Sequence, residues 1–236
     1  MKNQGLKPNS IGIYMRNLRA AFNVAIKSGI IKQDDYPFYN YKIPKEKTRH
    51  RALSEEHIAA LYNYCGTEAR NRAKDILFLS MFLVGINMKD LLLAKKIQIY
   101  NNRLEYTRAK TGKHYTIAIQ PEASEIIERY AGEKYLLHLA EKNQNHKYIY
   151  RYIDRRLHDI CKELEIPVNV TTYYARHTWA TIARNICKVP YDEIRLALGH
   201  YIPEVTGIYI DYDSEIVDQA NRKVIDYVLQ ISNNTL

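Results

Sequence analysis

His200 and Tyr209 stand nine positions apart in LGHYIPEVTGIY, residues 198–209, and mark the first place where this chain could do chemistry. Pro190 can open a helix, Asp192 and Glu193 suit the positive end of its dipole, and Gly199 can adopt the left-handed conformation that stops it. His200 would then leave the helix at a defined point. Pro203 and Gly207 interrupt the chain before IYIDYD, which predicts Tyr209 on a loop or a short helix, its hydroxyl available for reaction. The chain has 21 tyrosines in 236 residues, so packing in a core or an interface is the ordinary use of any one of them.

A second cluster is TTYYARHTWAT, residues 171–181. With Thr171 or Thr172 as N-cap, Tyr173 and Arg176 lie one turn apart on one helical face, so a hydroxyl and a guanidinium share a surface. The surrounding Tyr, Ala, Trp and Ile predict a partly buried Arg176, and a buried guanidinium needs an anion, either an internal carboxylate or a bound phosphate. The third cluster is RAKTGK, residues 108–113: alternation along a strand would put Arg108 and Lys110 on one face, beside a tight turn at Thr111-Gly112.

Elements to position these groups are legible from periodicity. Ile11, Tyr14, Leu18, Phe22, Ala25 and Ile26 recur at helical spacing over 8–29, with Asn9 or Ser10 as N-cap and Gly29 as stop. Ser54, followed by Glu55 and Glu56, starts a helix through Tyr64, and a nearly all-apolar central helix covers about 70–84. KKIQIY, RLEYTRAK and KHYTIAI read as three antiparallel strands joined at Asn101-Asn102 and Thr111-Gly112. Further helices are predicted over about 122–131 (after Pro121), 149–164, 172–187, 190–198 and 214–231. The body is mainly α with a small antiparallel three-stranded sheet.

Charge divides the chain. Residues 1–51 hold 11 Lys/Arg against 3 Asp/Glu, whereas residues 52–236 hold 24 against 23. The excess is densest in KIPKEKTRHR, residues 42–51, where Lys42, Lys45, Lys47, Arg49 and Arg51 meet only Glu46, as suits a polyanion partner or a solvated linker. The helix ahead of it is too small a piece to bury its own apolar side. Three divisions follow: 1–41, the end of a helical domain; 42–51, a basic linker; and 52–236, the main domain. Cys65, Cys161 and Cys187 show neither paired nor metal-ligand spacing and are expected as buried thiols. The longest apolar run, at 76–86, is too short to span a bilayer, and MKNQGLKPNS lacks a signal peptide's apolar stretch, so a cytoplasmic protein is expected.

The order and spacing of the three clusters resemble the tyrosine recombinase (phage integrase) family, and the resemblance runs from about residue 8 to 228. The resemblance implies a catalytic-domain fold preceded by a partial helical core-binding domain, DNA strand transfer through a 3′-phosphotyrosyl intermediate, and neither metal nor other cofactor. It assigns Tyr209 as nucleophile, Arg176 as the second arginine, His200 as the histidine of L-G-H and Lys110 as the hairpin lysine. Lys110 would protonate the leaving 5′-oxygen, and Arg176 and His200 would stabilise charge on phosphorus. Two positions depart from the pattern: Tyr173 replaces the histidine of H-x-x-R, and Asn87 falls where the first arginine belongs, so that either the site works slowly with one neutral hydrogen bond from Asn87 or Arg108 reaches in as a substitute. The implied partner is double-stranded DNA, with a monomer in solution assembling on it into a homo-oligomer for a mobile element. The apolar stripe Ile216, Val217, Ala220, Val224 and Val228 could dock on a neighbouring protomer or pack in cis. The competing readings are a DNA-binding regulator that has lost catalysis and a type IB topoisomerase.

Overall fold

A computed structural model describes residues 5–46, 51–142, 145–199 and 214–234. His200, Tyr209, Lys47 and Arg49 lie outside the described residues. The chain forms two compact units, Met1–His50 and Arg51–Leu236.

In the first unit a single long helix, α1 (Pro8–Lys27), begins at Lys7 and not at Asn9 or Ser10. Pro8 occupies the first turn, where its fixed φ is helical and its missing N–H is no loss. The Asn9 side chain serves elsewhere: it donates to the Glu46 carbonyl and accepts from the Glu46 N–H, both at 3.0 Å. Residues 42–46 thereby lie along α1, with the Pro44 carbonyl and Ile43 side chain packed over Gly12. Phe38 is the buried centre of an aromatic cluster with Phe22, Tyr36 and Tyr41. Tyr14 and Leu18, expected on the inner side of α1, are exposed along with Ile13 and Val24, because the unit has too few elements to cover them.

The second unit is built around α3 (Glu68–Phe82), whose residues from Ile76 to Phe82 are all buried. Before it lies α2 (Glu55–Tyr62), capped by Ser54, which accepts from the His57 N–H. After it comes α4 (Met88–Leu93), which periodicity did not reveal because only six residues are helical. The sheet follows in the order β1 (Ile99–Tyr100), β2 (Arg103–Thr107), β3 (His114–Ala118), all antiparallel. Asn101 and Asn102 both have positive φ, the requirement of a tight two-residue hairpin turn. Helices α5 (Pro121–Arg129), α6 (Leu139–Lys142), α7 (His146–Glu163), α8 (Tyr174–Asn185), α9 (Tyr191–Ala197) and α10 (Ser214–Asn233) follow among the described residues. Cys161 is buried as expected, but Cys65 is exposed, in the short connection between α2 and α3.

The stripe on α10 packs in cis: Val217, Ala220, Val224 and Val228 are buried against its own unit. A fully buried polar bridge fixes this docking. Asn221 accepts from the Trp179 indole N–H at 2.9 Å and donates to the Phe82 carbonyl at 2.7 Å, tying together α10, α8 and the end of α3. An apolar residue of similar size at 221 leaves both groups buried and unpaired, at about 1–3 kcal/mol each. Asn221→Leu is therefore expected to lower the unfolding free energy by about 2–6 kcal/mol, read from urea denaturation midpoints.

Candidate active site

Three elements of the second unit meet around Arg176: the loop that ends α3, the β2–β3 turn, and the end of α9. The loop is tightly folded, with Val84 and Gly85 both at positive φ, 58° and 64°. Gly85 lies directly on α8, where a Cβ would stand 2.5 Å from the Arg176 Cα. Its carbonyl accepts from the Arg176 guanidinium at 3.1 Å, and a second guanidinium nitrogen donates to the Leu198 carbonyl at the end of α9. Arg176 thus ties two backbone segments together through two of its five N–H donors.

No carboxylate pairs with Arg176 among the described residues; its partners there are the two backbone carbonyls. Burial is the main force lowering its pKa, and the second is repulsion from the guanidinium of Arg108. Arg108 lies beyond the end of β2, and its side chain is only 16% exposed. The expected alternation of Arg108 and Lys110 on one strand face is therefore corrected. Both belong to the turn, which is closed by Arg108 N–H to Lys113 carbonyl at 2.8 Å and Gly112 N–H to Arg108 carbonyl at 2.9 Å. Arg108 turns inward and Lys110 is exposed at the tip.

What turns Arg108 inward is Asp90, a residue that the sequence reading did not single out. Its buried carboxylate accepts from the Ala109 N–H at 3.0 Å and stands 4.0 Å from the Arg108 Nε. One acid so pins the turn between the two cations. The available signal was a lone aspartate ahead of Leu91-Leu92-Leu93, where burial demands a partner. Asn87 is the N-cap of α4, its side-chain oxygen accepting from the Lys89 N–H at 3.1 Å.

Tyr173 is the N-cap residue of α8, which corrects the assignment of that place to Thr171 or Thr172. The Thr172 N–H is instead bound by Asp154 of α7 at 2.8 Å. Tyr173 is 45% exposed, edge-on to His177, and the Arg51 guanidinium lies over its ring at 5.6 Å. Below Arg176, Tyr106 and Tyr115 pair across β2 and β3 and stack at 5.1 Å. Burial, reinforced by Tyr115, pushes the Tyr106 phenol far above its ordinary range, so it stays neutral. Helix α9 starts at Tyr191, with Pro190 as N-cap and not first helical residue, and Gly199 ends it at φ +62° as expected. His200 follows directly in the sequence.

Structure therefore joins Arg176, Arg108, Lys110 and Tyr173 to one unit's loop cluster, with Asn87 close by in sequence to Gly85. Of the basic segment, Lys42 and Lys45 are exposed in the first unit and Arg51 begins the second. This loop cluster holds the guanidinium groups of Arg176 and Arg108 and the carboxylate of Asp90.

Residues 1–43 match the phage integrase SAM-like domain family. Among solved structures, the chain is similar to lambda integrase (residues 75–356) in a dimer bound to a COC′ core site, with a TM-score of 0.66 and 17% identity over 85% of this chain and 74% of that one. It is also similar to the Tn1549 transposon integrase in complex with circular intermediate DNA, at TM-score 0.64 and 18% identity over 91% and 80% of the two chains. The integrase from mycobacterium phage Brujita gives 0.57 and 14% over 96% and 78%. No curated protein sequence matches the chain.

Proposed function

From a chain that carries a phage integrase SAM-like domain and the tyrosine recombinase fold, we propose a DNA strand transferase that cuts and rejoins duplex DNA through a 3′-phosphotyrosyl intermediate, in the service of a mobile element. The observation that carries this reading is the largely buried guanidinium of Arg176, which pairs with no carboxylate among the described residues and feels the positive charge of Arg108. A phosphodiester is the anion these two groups suit, because it presents two non-bridging oxygens to forked donors and gains negative charge as phosphorus becomes five-coordinate.

In the proposed reaction the Tyr209 oxygen attacks phosphorus and loses its proton, the bond to the 5′-oxygen breaks, and Lys110 protonates that oxygen as it leaves. Exposure of Lys110 at the tip of a turn pinned by Asp90 lets it reach a DNA strand lying over the loop cluster. His200 binds the same phosphate or takes the Tyr209 proton. Tyr173 donates a hydrogen bond where the family has histidine. Religation reverses the steps, with the energy of the broken bond kept in the phosphotyrosine.

The test is a nicked duplex that loses a short fragment after cleavage and so traps the enzyme. Wild type is expected to form a denaturant-resistant adduct and Tyr209→Phe none. Failure of wild type to form one, with duplex binding intact, would support a binding regulator of the same fold instead.

The protein is proposed to be monomeric when free, to assemble on DNA into a homo-oligomer and to work in the cytoplasm. Lys42, Lys45, Lys47, Arg49 and Arg51 would track the phosphate backbone. Neutralising Lys45, Lys47 and Arg49 should weaken binding to all sequences alike and reduce the slope of log K against log salt by about 0.9 per lost contact. A slope equal to wild type would make the segment a solvated linker.

A further inference from the structure

The end of α9 is shaped around a residue of the opposite strand. A Cβ on Gly199 would fall on the Tyr115 hydroxyl, so the side chain of β3 occupies the space that any other residue at 199 would claim. The same hydroxyl faces the Leu198 carbonyl at 3.4 Å, and that carbonyl also accepts from Arg176. Tyr115 is 3% exposed and stacked on Tyr106 with the rings 13° from parallel, so it has no freedom to swing away. It sits on the strand that returns from the turn bearing Arg108 and Lys110. One tyrosine therefore connects the cationic turn, the Arg176 hydrogen bonds and the residue before His200.

We propose that Tyr115 is a positioning residue for strand cleavage: seated in the Gly199 notch and against the Leu198 carbonyl, it sets the spacing between the Arg108–Lys110 turn and the helix end that orients Arg176 and leads into His200. This rests on the strand-transferase reading. Tyr115 itself touches no DNA. Its contribution falls on the chemical step, because small displacements of aligned donors cost rate more than affinity.

The test is a single-turnover measurement of adduct formation on the nicked duplex at saturating DNA, alongside the Kd for that duplex. Tyr115→Phe is expected to slow cleavage about five- to tenfold with Kd unchanged, the effect of one misplaced hydrogen-bonded contact. Gly199→Ala should slow it further, since its Cβ meets the ring, and Gly199→Ala combined with Tyr115→Leu should cleave faster than Gly199→Ala alone because the smaller side chain vacates the notch. Losses that simply multiply, or a rate for Tyr115→Phe equal to wild type, would overturn the proposal while leaving the strand-transferase reading intact. Amide hydrogen exchange at residues 196–199 gives a readout that needs no cleavage: faster exchange in Tyr115→Phe supports the seat, and exchange equal to wild type contradicts it even if wild type forms no adduct.

Discussion

Replacing Arg108 by alanine should slow cleavage by ~10²–10³, about 3–4 kcal/mol in the barrier, the usual cost of removing one preorganised donor from a site that stabilises developing anionic charge. Asn87 stands where a first arginine would be expected and is committed to capping α4 through the Lys89 N–H. Arg108 is held inward by Asp90 and lies near enough to Arg176 for their charges to repel. A phosphate bound over both groups would offset that repulsion. Asn87→Arg should accordingly give no acceleration: it removes a cap worth ~1 kcal/mol and crowds a third cation into the loop cluster. Arg108→Lys should recover only part of the loss, because an ammonium keeps the charge and loses the fork. If Asn87→Arg accelerates cleavage and Arg108→Ala leaves it unchanged, Arg108 is not the substitute.

The second large effect is expected at Gly85. Its φ of +64° already disfavours any side chain, and a Cβ would meet the Arg176 Cα at 2.5 Å. The contact is with helix backbone, which cannot step aside as a flexible side-chain end could. Gly85→Ala should push the loop off α8, break the Gly85 carbonyl bond to Arg176 and cost roughly 2–4 kcal/mol of stability, with cleavage lost in parallel. Thermal or urea unfolding measures the first and adduct yield the second. A variant as stable and active as wild type would mean that the loop does not rest on α8 as described.

Much of this arrangement was legible because its causes are local. Ser54, Pro121, Gly199 and the Asn101-Asn102 pair signal caps and turns through their own backbone chemistry, and the apolar length of α3 announces a central helix. What escaped depends on partners distant in sequence. Alternation placed Arg108 on a strand face beside Lys110, whereas the acid of Asp90, eighteen residues earlier, turns it inward. Asn9 looked like a cap until Glu46 claimed its side chain. The roles of Tyr115 and Gly85 are packing relations with 199 and 176, invisible to any window along the chain.

The most direct measurement of the account is to identify the residue that carries DNA in the trapped adduct. Digestion of the wild-type complex and mass spectrometry should find the 3′-phosphate on the tyrosine of the peptide containing Tyr209, and the Tyr209→Phe protein should yield no such peptide. A phosphate on Tyr201, Tyr212 or any other side chain, or an adduct that persists in Tyr209→Phe, would contradict it.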